Sequence, residues 1–221
     1  MSDIFREVEE ELRQEKLKSL WKRYGAYVIA AMVLIVGAVG GYRFYQSWVV
    51  SQSGLSGAKY ATALRFLGES KFDQAAPILD ELAKEGYGAY PVLARFQEAA
   101  SLAKSGSRDE AVTLYDTIAN DASVDATFRD LARIRAGFLL VDIASPEEVA
   151  ERMAPLATDD GIWRHTAREI MALSQYGAGN FSKADEIFDS IMADPAAPAR
   201  LKSRAEIMRT LIAPKLSAEA S

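Results

Sequence analysis

A sequence repeat is the feature that most constrains how this chain can fold. Small residues recur at intervals of 36, 38 and 35, at Ala63, Ala99, Gly137 and Ala172. The residues nine positions after them are Phe72, Arg108, Pro146 and Phe181. Each of these opens an apolar pattern of helical spacing, and turn-forming residues come just before it. Each copy is therefore predicted to be two antiparallel helices that approach closely at the small residue.

Stacking of the hairpins against one another would stabilise this repeat fold. One hairpin cannot bury its apolar face, whereas several hairpins in a row share a continuous core. A period near 34 residues with two helices per copy is typical of tetratricopeptide repeats. We expect an all-α fold, with a tetratricopeptide-repeat-like α-solenoid of about four helical hairpins at 58–213. Residues 199–213 form its C-terminal capping helix, Pro214 ends that helix, and 214–221 form a tail; an irregular helical bundle is the alternative.

An uncharged segment near the N-terminus predicts a single transmembrane helix. Residues 24–42 contain 19 consecutive uncharged positions, bracketed by Lys22 and Arg23 on one side and Arg43 on the other. A helix of that length rises roughly 28 Å, close to the hydrocarbon thickness of a bilayer. A cleaved signal peptide is disfavoured because the apolar run is longer than usual. A buried core helix is disfavoured because the run has no polar face.

The distribution of basic residues predicts the orientation of this span. Five of them lie within a dozen residues on its N-terminal side: Arg13, Lys16, Lys18, Lys22 and Arg23. The positive-inside rule makes 1–23 a cytoplasmic amphipathic segment, which could have its own partner. A juxtamembrane linker at 43–57 and the repeat domain then lie across the membrane, which is the periplasm if the source is a Gram-negative bacterium. Gly37 and Gly41 have the spacing that pairs transmembrane helices, so a homo-oligomer is one interpretation and lipid-facing glycine the other.

The composition disfavours catalysis and nucleic-acid binding. The chain has no cysteine, a single histidine at His165 and a net charge of −5. Imidazole and thiolate groups carry much of the acid–base chemistry of enzymes near neutral pH. Asp159 and Asp160 lie near His165, and we interpret them as capping residues at a helix start. We therefore predict no catalytic, cofactor-binding or metal-binding residues, and an acidic chain is unsuited to nucleic acid.

The surface left for function is the one formed by the first helix of each repeat. Aromatic and apolar side chains there suit segments of other polypeptides, because such anchors dominate binding energy at interfaces. Counting from the small residues, we predict partner contacts at Tyr60, Phe96, Ile134, Phe138, Glu169 and Tyr176. For Ile134 and Phe138, packing between repeats is an equally good interpretation.

The exit from the membrane span carries a family resemblance. Residues 41–48, GYRFYQSW, together with the charged N-terminal segment and the short repeat array, resemble the YfgM-like family of ancillary SecYEG translocon subunits. The third repeat departs from the usual pattern, with Pro146 and Val149 in place of an aromatic residue and alanine.

That resemblance implies a non-enzymatic accessory protein of the bacterial inner membrane with its repeat domain in the periplasm. Its implied partners are the SecYEG translocon, the membrane-anchored prolyl-isomerase chaperone PpiD and exported polypeptides. The alternative is an envelope scaffold or adaptor for another membrane complex such as the cell-division machinery.

Overall fold

Helices make up most of the computed structural model, which describes residues 3–219. The side chains of 3–17, 19, 20, 28 and 219 are outside the description. The helices are α1 Asp3–Gly68, α2 Phe72–Glu85, α3 Tyr90–Ser105, α4 Arg108–Asn120, α5 Ala126–Leu140, α6 Pro146–Met153, α7 Arg164–Gly177, α8 Phe181–Ala193 and α9 Ala199–Glu219. A 3₁₀ turn at Ala154–Leu156 follows α6. The chain divides into two compact units, Met1–Leu55 and Ser56–Ser221.

The first unit consists of the N-terminal part of α1. Within the described part of the chain, one helical stretch, Trp21–Gly68, is long and apolar enough to cross a membrane, and only 6% of its most apolar window is buried. Residues expected to form a linker at 43–57 are helical. The amphipathic pattern predicted for 1–23 falls largely on side chains outside the described set.

The second unit contains the predicted hairpins. We call the first helix of each hairpin the leading helix: residues 56–68 of α1, then α3, α5 and α7. The second is the trailing helix: α2, α4, α6 and α8. The trailing helices begin at the residues picked out by the repeat, Phe72, Arg108, Pro146 and Phe181. The all-α repeat fold predicted from the sequence is therefore confirmed, with α9 packed against α7 and α8 as the closing helix.

The small residues lie where the helices pack most closely. Ala63, Ala99 and Ala172 have no exposed surface. A Cβ atom placed on Gly137 would stand 2.9 Å from Cε and 3.0 Å from Sδ of Met153, which is too close for an unshifted neighbour. The corresponding residues of the trailing helices are also fully buried: Ala75, Ala111, Val149 and Ala184. Close packing of each hairpin therefore requires small residues at these positions.

The turns between leading and trailing helices share a conformation in three of the hairpins. The residue two positions before the trailing helix is left-handed, with φ of 59° at Ser70, 96° at Gly106 and 81° at Gly179. The third hairpin uses other means: Ser145 Oγ accepts a hydrogen bond from the Glu148 N–H at 3.2 Å, and Pro146 occupies the first helical turn. The left-handed residue in three hairpins, and the serine cap with proline in the third, each fix the residue at which the trailing helix begins.

The C-terminal end differs from the prediction, because Pro214 lies inside α9. A proline there removes one backbone hydrogen bond, which normally ends or bends a helix. Leu216 packs against the core formed by α7, α8 and α9, and Lys215 Nζ lies 4.8 Å from the centroid of the Phe181 ring. These tertiary contacts hold the turn beyond the proline, so the expected tail at 214–221 is helical as far as Glu219.

Overpacking one close contact tests the hairpin geometry. Ala184→Leu is expected to lower the free energy of unfolding by about 1–3 kcal/mol, because the larger side chain has no space between α7 and α8. Thermal unfolding of the full-length protein in mild detergent, followed by circular dichroism, measures the change. Ala193→Leu, at an exposed position of the same helix, is the matched control. Equal melting of both variants would contradict the assigned contact.

Candidate protein-binding surface

The single histidine belongs to an ion-pair cluster between α7 and the segment that follows α8. His165 is 6% exposed, and its Nε2 donates to Asp194 Oδ2 at 2.8 Å. The Arg164 guanidinium donates to the same oxygen at 3.2 and 3.3 Å, and the Ala196 N–H donates to Oδ1 at 2.8 Å. Hydrogen bonds from His165, Ala196 and Arg164 hold the pKa of Asp194 well below its usual range. Both oxygens of the Asp194 carboxylate accept hydrogen bonds, so the cluster joins α7 to the segment that follows α8.

The capping role expected for Asp159 and Asp160 is wrong. Helix α7 begins at Arg164, and the residue before it, Trp163, accepts no capping hydrogen bond through its side chain. Asp159 Oδ1 instead accepts from Arg168 Nη2 at 2.7 Å, one turn into the helix. The two carboxylates lie in the segment before the helix, too early in the chain to reach its first N–H groups.

Tyr60 and Phe96, two of the six predicted contact residues, pack against aromatic rings of neighbouring helices. The Tyr60 ring lies 5.8 Å from that of Tyr90, and its hydroxyl accepts a hydrogen bond from Gln97 Nε2 at 3.1 Å. The Phe96 ring lies between those of Tyr115 and Phe128, at 5.7 and 6.2 Å. Both side chains are half-buried, so most of their apolar surface is used inside the fold.

Two further predicted residues are buried. Ile134 is 3% exposed within the central core, and Glu169 is 5% exposed. The Glu169 carboxylate receives two hydrogen bonds from Arg204, at 2.5 Å from Nε and 2.6 Å from Nη2. This bidentate pair joins α7 to α9. Neither Ile134 nor Glu169 offers a partner much surface.

The last two predicted residues have different environments. Tyr176 is half-buried, with its ring 5.6 Å from that of Phe181. Phe138 is 41% exposed on α5. The binding role of all six remains a prediction, and Phe138 has the most accessible side chain among them.

Phe138 occupies a register position that recurs along the leading helices. It directly follows the small residue Gly137, and the equivalent residues are Leu64, Ala100 and Leu173. Leu64 is 39% exposed, and the other two are half-buried. Helix α5 packs against both α3 and α7, so these positions lie on successive neighbouring helices. We call this row of four residues the leading-helix surface.

A small cavity opens beside this surface between α1 and α3. Its volume is about 220 Å³, and Leu64 and Ala100 line it together with the polar residues Gln97, Ser101 and Lys104. Apolar walls with a few polar groups suit a side chain of another polypeptide. Sequence reasoning missed Leu64 and Ala100, although the position directly after each small residue would have found them.

Comparison with known proteins places the chain in a family. The tetratricopeptide repeat-like domain family matches residues 18–160, which is more than half of the chain. The chain belongs to this family. The match ends before α7, while the repeated hairpin continues through α7 and α8. Family membership agrees with the repeat predicted from the small residues.

A curated relative supports the narrower resemblance. A Haemophilus influenzae protein named "Ancillary SecYEG translocon subunit" is 30% identical over 92 residues, covering 42% of this chain and 45% of that protein. The match therefore spans less than half of the relative's length. The resemblance to ancillary translocon subunits predicted from the sequence is confirmed. No solved structure gives a significant match.

The His165 cluster predicts how stability changes in acid. Because the pKa of Asp194 is below its ordinary value of 3.8 in the folded state, its stabilising contribution is present above that pH and is lost as the pH falls through the lower folded-state pKa. Asp194→Asn should therefore lower the melting temperature more at about pH 5 than at about pH 3. Thermal unfolding of the full-length chain checks this.

The matched control for that experiment is Asp160→Asn, an exposed carboxylate in the segment before α7. It should leave the melting temperature unchanged at both pH values. If Asp194→Asn lowered the melting temperature equally at both pH values, the cluster would not be the cause of the loss of stability in acid.

Proposed function

We propose that this chain is a single-pass inner-membrane accessory subunit that binds protein segments at the Sec translocon through its leading-helix surface. The observation that carries the proposal is the exposure of Leu64 and Phe138, 39% and 41%, at the same register position of stacked helices. Buried residues next to both hold these side chains in place before a partner arrives, which reduces the ordering cost of binding. The name of the Haemophilus relative supports the translocon as the place of action.

The shape of the surface favours a polypeptide over a small molecule. The cavity of about 220 Å³ beside Leu64 is smaller than the roughly 300–1,000 Å³ typical of small-molecule pockets. Successive leading helices repeat the same apolar position, which matches a segment with side chains at several points along its length. We infer that exported polypeptides, or a translocon-associated chaperone such as PpiD, provide these segments, and that the role is non-catalytic.

The proposal includes an orientation, with the N-terminus in the cytoplasm and the repeat domain in the periplasm. Because the chain has no cysteine, single cysteines can report it without background. A membrane-impermeant maleimide added to spheroplasts should label Glu186→Cys, at an exposed position of α8, and should label Lys18→Cys only after lysis. The reverse pattern would contradict the orientation given by the basic residues.

Photo-crosslinking in intact cells tests the binding surface itself. A photoreactive residue in place of Leu64 or Phe138 should form adducts with translocon subunits or exported chains, because both side chains point outward at the proposed contact. The same residue at Glu186, exposed on trailing helix α8, is the control and should give none of these adducts. Adducts only with division proteins would favour the scaffold alternative, and equal adducts at all three positions would remove the case for this surface.

A further inference from the structure

Helix α9 exposes an apolar row that no part of the described chain covers. Its inner face packs against α7 and α8 through residues that include Leu201, Ala205 and Ile212. On another face, Ile207 and Leu211 are 60% and 50% exposed. The exposed residues Pro214 and Ala218 continue the same row at intervals of three and four. This spacing places all four on one side of a helix, and we call them the outer stripe.

An apolar outer stripe is unusual at this place in a repeat array. The terminal helix of such an array has neighbours on its inner side only, and its outer face is ordinarily polar because it meets water. A single exposed apolar residue would need no explanation. Four such residues in helical register, two of them large, indicate a face that is covered by something outside the described chain.

The charges around the outer stripe identify what covers it. By helical spacing, Arg200 lies in line with the outer stripe, and Glu206 points to another side. Arg204 and Lys215 flank the stripe on the side toward α7 and α8, where Arg204 pairs with Glu169 and Lys215 lies over the Phe181 ring. Arg204 remains half-exposed although it pairs with Glu169. Among the described side chains of α9, the outer stripe thus has cations at both ends and no carboxylate. Two copies packed through this stripe would bring like charges together, so the face fits an anionic surface better than a second copy.

We propose that the outer stripe binds the anionic headgroup region of a phospholipid bilayer. A helix with an apolar row flanked by Lys and Arg lies in that region with its apolar side chains among the acyl chains. The inference rests on the membrane anchor and is independent of the leading-helix surface. Since α1 tethers the repeat domain to the bilayer, the contact is intramolecular in effect, and a small area suffices.

The acidic charge of the body does not oppose this contact at α9. Residues 44–221 carry 19 basic and 25 acidic side chains, whereas α9 carries five basic and two acidic ones. Two of the five, Arg204 and Arg209, are paired with carboxylates of α7 and α8 on the packed side of the helix. Exposed charges more than about 10 Å apart are largely screened at 0.1 M salt. The charges close to the outer stripe, Arg200 and Lys215 among them, therefore decide the sign of its interaction with headgroups.

A labelling experiment on the full-length chain tests the proposal. Ile207→Cys, carrying an environment-sensitive fluorophore, is reconstituted in nanodiscs of brominated lipid, either with phosphatidylglycerol or with phosphatidylcholine alone. We expect quenching at least about twofold stronger with phosphatidylglycerol, because the cations then draw the stripe to the surface. Glu206→Cys, exposed on another face of α9, is the matched control and should not be quenched.

Charge variants separate electrostatic docking from other causes. Adding Arg200→Glu to the labelled protein should abolish the dependence on phosphatidylglycerol. Lys202→Glu, which makes the same charge reversal on another face of α9, should preserve it. Circular dichroism melting confirms that each variant is folded. The proposal would be overturned by equal quenching in both lipids or by no quenching at position 207. It would also be overturned by a spectral change that depends on protein density and not on lipid bromination, because that result would indicate a second copy of the chain. Failure of α1 to insert into the nanodisc bilayer would also overturn the proposal, because the proposal assumes that α1 anchors the chain in the membrane.

Discussion

Close approach between paired helices is the constraint on which the rest of the structure depends. Each hairpin needs a fully buried small residue where its leading helix meets its neighbours, and the trailing helix provides a second one. In the third hairpin, Gly137 and Val149 stand where the others have two alanines, so a smaller residue on one helix accompanies a larger one on the other. Met153 packs into the space that a Cβ at Gly137 would occupy. The glycine therefore leaves room for the long side chain of Met153 without overpacking the third hairpin.

Arginine–carboxylate pairs connect helices that the apolar contacts have already placed. Arg152 of α6 donates to both oxygens of Asp116 on α4, at 2.9 and 3.0 Å, and Arg209 of α9 pairs with Asp185 of α8 at 2.8 Å. These groups are about one-third exposed, so each pair adds little to the net stability. Their planar geometry instead favours one relative position of the two helices.

The sequence predicted the start of every trailing helix and each buried small residue, because both follow from local spacing and from the size of a single side chain. It failed where distant residues decide the outcome. Pro214 continues a helix because Leu216 has a core to pack against, and Glu169 is buried because Arg204 reaches it from 35 positions away. Leu64 and Phe138 could be found by register alone, but only the structure shows which register position stays open.

The third trailing helix has a mechanical consequence for the array. Helix α6 has eight residues, against 13 or 14 in the other trailing helices, and a 3₁₀ turn fills part of the missing length. In a linear stack, each layer resists bending only through its immediate neighbours. The shorter helix gives the third layer less length over which to contact those neighbours, so we expect the array to bend more easily there than at layers with full-length trailing helices.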